Sequence, residues 1–441
     1  MKKAKIFTFN LFFNALLVAL FTTFSTAEEQ IQNLTINQAV EIALKENPDL
    51  NAARYQVKEA EGRLKQAGLY PNPSLETDFN FDAAFSNEGE RNFSTGIVQP
   101  LPLSGRIGAQ KNAAKVDVER TFANIADIER LLVKDVRLNF IQYLAVNEQL
   151  LLQENLIGLN TELIKGIKKG IKEGLASERD LNSVVIALQQ ARQEKEVLIA
   201  QKKSIVLELS GLLGKPPTFS FTTNEKLSYD PVENLSDHNA ESAYINRPDF
   251  KLSKSNIEFE KANLALAKAL RFEDIDAGIF YSRDRQILDI PQGAIPNTDN
   301  LLGIRLVIPL PFFDRKQGLI AETIARRTRA EVSNEALKIK IDREVSDALN
   351  RVNTLSALLG TYQSGILITA EKNVKLVENG FKQGLAGITD VIQSRQQFST
   401  LTSSYINTLR DYHIALNDLQ TAVGIYPHIS SFNNKKGVEN R

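Results

Sequence analysis

The chain has 441 residues, with 53 Lys+Arg balancing 53 Asp+Glu, so no net charge steers it toward nucleic acid or acidic ligands. Cysteine is absent, which excludes disulfides, thiolate metal sites, cysteine nucleophiles and a lipid-modified N-terminal cysteine. Its 14 prolines are sparse and clustered, which leaves room for long helices.

Met1-Lys-Lys-Ala-Lys5 is a basic opening to an apolar stretch at 7–24, followed by Ser25-Thr26-Ala27. This is the layout of a cleavable secretory signal, with cleavage expected after Ala27. No later run is long and apolar enough for a transmembrane helix, so the expectation is an exported chain that is soluble or a β-barrel. Leu34-Thr-Ile-Asn37 leads into a short amphipathic helix, stopped by Asn47-Pro48-Asp49. A Pro-free helix follows at 51–69 and ends at Tyr70-Pro71-Asn72-Pro73. The period then changes to two. Leu75, Thr77, Phe79 and Phe81 alternate with Glu76, Asp78, Asn80 and Asp82, which predicts a strand at 75–82 with one apolar and one acidic face. A second strand at 93–99 ends at Pro100-Leu-Pro102. From 109 to 169 there is no proline, and about 60 helical residues would span ~90 Å. Gly170-Ile-Lys-Glu-Gly-Leu-Ala-Ser-Glu-Arg-Asp180 breaks the run, and a return helix at 181–213 completes a long coiled-coil hairpin with Gly174, Leu175 and Ala176 near its tip.

The pattern then restarts. Arg247-Pro248-Asp249 echoes Asn47-Pro48-Asp49, and a helix at 251–270 precedes strands expected at 275–282 and 301–308, separated by a loop of about fifteen residues. Pro309-Leu-Pro311 echoes Pro100-Leu-Pro102. The Pro-free run 318–379 ends at Gly380-Phe-Lys-Gln-Gly-Leu-Ala-Gly-Ile-Thr-Asp390, with Gly384, Leu385 and Ala386 as the second tip. A return helix occupies 391–423. The reading is therefore a signal at 1–27, a first repeat at 28–214, a linker at 215–246, a second repeat at 247–424 and a polar tail at 425–441.

Four strands with apolar faces fit an outer-membrane bilayer, where alternation turns apolar side chains to lipid and Glu76, Asp78, Asn80 and Asp82 to a wet lumen. Four strands are too few to close a barrel, and open edges cannot exist in lipid, so several chains must contribute. The competing reading is a soluble periplasmic scaffold, a four-stranded sheet on a coiled-coil stalk.

The Leu34-Thr-Ile-Asn-Gln-Ala-Val40 segment, the Asn-Pro-Asp corner, the paired Pro-Leu-Pro strand exits and the duplicated Gly-Leu-Ala tips together resemble the outer membrane efflux protein (TolC) family over 34–424. Ile308-Pro-Leu-Pro-Phe-Phe-Asp-Arg-Lys-Gln-Gly318 resembles its CzcC/CusC heavy-metal branch. The resemblance implies a homotrimer with a twelve-stranded outer-membrane barrel above a periplasmic α-helical tunnel. It also implies a non-enzymatic exit duct, without cofactor, that docks a periplasmic adaptor and an inner-membrane RND-type pump. Heavy-metal cations are the cargo expected of that branch; drug efflux and type I protein secretion use the same layout. Many CusC-branch relatives carry a lipidated N-terminal cysteine, which this chain lacks. On the same resemblance the tips Gly174-Leu175-Ala176 and Gly384-Leu385-Ala386 face the adaptor, and Asp390 contributes to a ring of three carboxylates at the periplasmic gate. The next ring position holds Gln393 in place of Asp, which weakens that ring. No catalytic constellation is visible: His238, His413 and His428 are scattered and expected at the surface, and the Arg326-Arg327-Thr-Arg329 cluster is expected to be a solvated helix face.

Overall fold

The computed structural model describes residues 30–81, 89–231, 239–291 and 293–425. The expected signal at 1–27, Asp82, His238 and the tail with His428 lie outside the described residues. In chain order the elements are β1 (Gln30–Ile31), α1 (Ile36–Glu46), α2 (Pro48–Ala67), β2 (Ser74–Phe81), β3 (Arg91–Leu101), α3 (Arg106–Lys172), α4 (Glu178–Leu212), β4 (Ser220–Phe221), α5 (Ala240–Asn246), α6 (Pro248–Ala269), β5 (Ile275–Ile290), β6 (Gly293–Val307), α7 (Gln317–Thr361), a π turn (Tyr362–Ile366), α8 (Leu367–Lys382) and α9 (Ile388–Val423). Among the described residues no helix is long and apolar enough to cross a membrane. The elements fall into two compact units.

One unit gathers described residues 30–47, 132–231 and 351–417, and contains both helical hairpin ends. Thr35 starts α1 with a capping box, its side chain accepting from Gln38 N–H while Gln38 answers the Thr35 N–H. The segment expected to be a polar linker contributes to the core here. β4 pairs in parallel with β1, and buried Phe221 packs against Tyr143 and Phe140 at ring separations of 4.5 and 5.9 Å. His413, expected at the surface, is half-buried: Nε2 donates to the Ser228 carbonyl at 2.9 Å. The neighbouring Tyr412 hydroxyl donates to the Asp230 carbonyl at 3.0 Å. The two aromatic side chains strap the 228–230 segment onto α9. A second difference is the π turn, which interrupts the run expected to be one helix up to Asn379. Gly365 sits there at φ +131°, a conformation that costs a side-chain-bearing residue dearly. Before the turn Val352 and Leu359 are buried, as are Ile341, Val345 and Ala348 of the other unit; after it Val377 and Phe381 face the core while Leu376 is 71% exposed.

The other unit gathers described residues 48–131, 239–350 and 418–425. Pro248 sits at the first turn of α6, and the residue before it, Arg247, is only 2% exposed. Its guanidinium donates to Glu344 at 2.7 Å, to Asp249 at 2.6 Å and to the Ala422 carbonyl at the end of α9 at 3.0 Å. Burial alone would raise the Asp249 carboxyl; the Arg247 hydrogen bond and charge, with Arg130 nearby, outweigh it and hold Asp249 below the ordinary carboxylate range. A cation against the last carbonyls of a helix also suits the helix dipole.

The sheet belongs to this unit, in the order β2-β3-β5-β6, antiparallel throughout. The loop of about fifteen residues expected before 301 is instead a hairpin. β5 and β6 stay paired from Asp276↔Val307 to Ile290↔Gly293. The alternation rule could not see this stretch, because residues 283–286 and 297–300 are polar on both faces. Pro296 is tolerated because β6 has a single neighbour within the chain. Pro100, expected just outside β3, lies inside it; β2 pairing stops at Val98, so there too only one neighbour remains.

Burial holds the His413 ring below its ordinary range, although the Ser228 bond and Asp230 oppose this; Arg137 adds to the lowering. The unfolded chain therefore takes up the proton first as pH falls. This contribution to stability is complete above about pH 6.5 and is lost as pH drops through the lowered value. The thermal midpoint of the wild type is expected to fall further between pH 7 and pH 5 than that of His413→Gln, whose amide can still reach Ser228. Parallel melting curves over pH for the two proteins check it, and an equal fall removes His413 as the cause.

Candidate functional site

Two helix reversals in the same unit have one design. At the end of α3 the Leu175 N–H returns to the Gly170 carbonyl at 2.7 Å and the Gly174 N–H to Ile171 at 3.1 Å. At the end of α8 the Leu385 N–H returns to Gly380 at 2.8 Å and the Gly384 N–H to Phe381 at 3.0 Å. This is the Schellman arrangement, and it requires the left-handed residue supplied by Gly174 (φ +72°) and Gly384 (φ +74°). The first glycine of each motif has a separate reason. A Cβ on Gly170 would stand 3.2 Å from the Ala176 Cβ, and one on Gly380 3.4 Å from the Ala386 Cβ. In most such motifs the apolar residue after the left-handed one packs back onto a side chain one turn earlier. Here that partner position is glycine, so the leucine has nothing to cover it. Leu175 and Leu385 are each 80% exposed.

The next helix starts by a related device. Ser177 caps α4: its hydroxyl and its N–H both donate to Asp180 Oδ2, at 2.6 and 3.0 Å, and the Asp180 N–H donates back at 3.2 Å. Those side-chain and backbone bonds from Ser177 hold the Asp180 carboxyl below its ordinary range. At the second tip Gly387 replaces the serine, and Asp390 Oδ2 accepts the Gly387 N–H alone, at 2.8 Å. Asp390 is exposed on the first turn of α9, and among the described residues its other carboxylate oxygen accepts no hydrogen bond. Ile167, Val184, Ile388 and Val391 form one buried cluster beneath both tips, flanked by Ala176, Val377 and Phe381.

In the other unit, the sheet register sorts side chains by parity. Leu75, Ile97, Ile279 and Ile304 stand opposite one another in a single row across all four strands, all exposed, Ile304 at 86%. On the reverse face the row is Glu76, Gly96, Phe280 and Gly303. Phe280 is buried because it lies over two glycines: a Cβ on Gly96 would fall 2.3 Å from its ring, and one on Gly278 2.7 Å. The Arg305 guanidinium stacks on that ring at 3.8 Å and reaches Glu76 at 3.3 Å. Arg305 and Glu76 lie on the two outermost strands, three strand spacings or about 14 Å apart on a flat sheet. Two side chains close that span only if the polar face is concave.

The structure thus brings the six tip residues over one shared core, and puts Glu76, Asp78 and Asn80 on the concave face of the sheet. Phe280 and Arg305 were not foreseen. Arg305 occupies the polar parity of its strand, but which strand it faces is set by long-range pairing that one sequence does not display. The Arg326 and Arg327 cluster is a solvated helix face, paired one turn away to Glu322 and Glu331. Among the described residues no group of three His, Cys, Asp or Glu side chains is placed to hold a metal ion.

The chain belongs to the outer membrane efflux protein family, whose sequence profile matches residues 39–215 and again 239–425. This is a family of transport channels, not of enzymes. It is 22% identical over 397 residues to the cobalt-zinc-cadmium resistance protein CzcC of Cupriavidus metallidurans, covering 89% of this chain and 90% of that one. The fold is shared with a crystal structure of CusC (18% identity, TM-score 0.71, 89% of this chain and 92% of that chain). It is shared equally with the CmeC outer membrane channel of Campylobacter jejuni (14% identity, TM-score 0.71, 88% and 85%).

Gly384→Ala would force a β-carbon into the left-handed conformation, at a cost of about 1 kcal/mol or more. Leu385→Ser alters a side chain that touches little. Amide hydrogen exchange is expected to quicken across 380–390 in the first variant and to stay at the wild-type rate in the second.

Proposed function

We propose that the mature chain is the outer-membrane exit duct of a tripartite efflux system. Three copies would supply twelve strands to one barrel, with the helical hairpins extending into the periplasm. The observation that carries this reading is the sheet: a continuous exposed apolar face, with β2 and β6 each bonded on one side only within the chain. In hydrocarbon every backbone donor and acceptor must be satisfied, and neighbouring copies are the economical source of partners for those edges. The eleven residues of β3 suit the 9–11 needed by a tilted spanning strand. The concave polar face then lines the lumen, with Glu76, Asp78 and Asn80, and with Arg305 held flat against the wall by Phe280.

The two exposed leucines support docking of a periplasmic adaptor at the tips. Each is an apolar knob on a rigid reversal, suited to a groove between partner helices. Asp390 fits the gate role: one oxygen is fixed by Gly387 and the other is free for cargo or a neighbouring copy. Heavy-metal cations are the cargo this reading favours, on the similarity to the resistance protein CzcC. The chain would conduct passively, and an inner-membrane pump would supply the energy.

Fractionation and planar-bilayer recording test the duct itself: the protein should need detergent for extraction and should form channels, and a detergent-free soluble product would end the reading. Leu175→Asp with Leu385→Asp is expected to abolish metal resistance in a complemented deletion strain while trimers still form on native gels. Normal resistance would dismiss the tips as the docking point. Arg305→Gln should leave Glu76 unbalanced and move the reversal potential toward cations, while Asp390→Ala should raise conductance or lower cation preference.

A further inference from the structure

The hairpin end of the sheet carries an arrangement of charge that the efflux role does not use. Register places Arg91 directly opposite Arg285, and Arg283 opposite Phe93. All three arginines share the parity of Ile97 and Ile279, so they stand on the apolar face and not on the concave one. Like charges directly opposite on one face destabilise a strand pair. Among the described residues none of the three makes an ion pair. Among the described residues, Glu90 Oε1 accepts the Ile287 N–H at 3.3 Å, and Asp284 Oδ2 accepts from Gln286 at 3.0 Å, and neither carboxylate forms an ion pair with these arginines. The arginines line a hollow of about 450 Å³, with Phe79, Phe93 and Thr298. The Phe79 and Phe93 rings, 4.9 Å apart, form its side nearest the apolar rows. Arg283 and Arg285 stand four and six residues beyond Ile279, about 13 and 20 Å along the strand.

An aromatic pair above an apolar band marks the level where hydrocarbon gives way to headgroups. Cations just beyond it, without an ion-pair partner among the described residues, are complemented at that depth by the phosphates of lipid headgroups. We propose that this hollow binds the phosphate groups of an anionic lipid of the outer leaflet, whose acyl chains lie along the Leu75–Ile97–Ile279–Ile304 row. Guanidinium forks match phosphate oxygens bidentately, and a bound phosphate converts the Arg91–Arg285 repulsion into a shared contact. The site rests on the barrel reading, which alone turns this face toward lipid.

The test uses the full-length wild-type protein, first shown to form channels in planar bilayers, so that failure of the barrel reading is recognised before lipid is added. Diphosphoryl lipid A, enzymatically dephosphorylated lipid A and inorganic phosphate are then titrated into the detergent-solubilised channel. Retained lipid is counted by native mass spectrometry. The wild type is expected to hold diphosphoryl lipid A at least about tenfold more tightly than the dephosphorylated form, the factor expected from losing one charged hydrogen bond or more. Inorganic phosphate at matched concentration is expected not to displace it. Arg91→Gln/Arg283→Gln/Arg285→Gln should lose that preference, and the corresponding triple lysine variant should retain part of it. Equal retention of both lipids by the wild type, which needs no variant to fold, overturns the proposal. So does displacement by free phosphate, or an undiminished preference in a glutamine variant that still forms channels.

Discussion

The register between β3 and β5 is the constraint on which the rest depends. It is the seam at which the first half of the sheet meets the second, from Leu101↔Ile275 to Arg91↔Arg285. A slip of one residue would exchange the faces of β5 and β6 relative to β2 and β3. Ile279 would then stand with Glu76, and Phe280 would lose Gly96 from beneath its ring. Phe280 keeps Gly278 on its own strand and Gly303 opposite on β6 in any alignment of this seam, but only this one sets Gly96, the glycine of β3, beneath its ring. Arg305 follows from the same seam, since its reach to Glu76 depends on the curvature those small residues permit.

The duplicated halves meet equal structural demands with unequal residues. Both turn a corner at a proline, and both use the preceding side chain to satisfy a carbonyl at the end of the returning helix. In the first half this is Asn47, whose amide donates to Leu212 at 2.9 Å. In the second it is Arg247, which needs Asp249 and Glu344 around it because a buried cation requires compensation. The tips diverge in the same manner. Serine at 177 ties up one carboxylate oxygen of Asp180 with two donors, whereas glycine at 387 offers only its N–H to Asp390. The second half has traded local order for a less committed carboxylate.

Much of this was legible from one sequence, for reasons that differ by element. The hairpin ends announce themselves because left-handed backbone at 174 and 384 strongly favours glycine. Long helices follow from absent proline, and β2 from strict alternation. What failed to show was anything decided by distant partners. The upper halves of β5 and β6 lack an apolar face and so read as loop, although backbone pairing holds them. Phe221 reads as a sparse apolar residue in a polar linker, yet Phe140 and Tyr143 pack against it, with Phe219 stacked behind at 6.0 Å. His413 gave no sign of Ser228, which lies 185 residues away in sequence. The motif places Leu175 and Leu385 at hairpin tips, but their exposure and its cause, glycine where a covering side chain normally stands, lie in the hydrogen-bond pattern.

The π turn has a consequence for how the α7–α8 rod presents itself. Seven-residue steps from Ile341 and Val345 arrive at Leu376 and Gly380, so an unbroken helix would aim Leu376 inward. The residues that face the core are Val377 and Phe381, one place later in each series, and Leu376 points outward. Gly365, at a non-helical φ of +131°, kinks the chain between α7 and α8, so the phase of the inward stripe does not carry across it. The stripe that buries α7 and the stripe that buries α8 are thus two separate patterns spliced at Gly365. A heptad count carried across the kink would place Leu376 and Gly380 where Val377 and Phe381 meet the core.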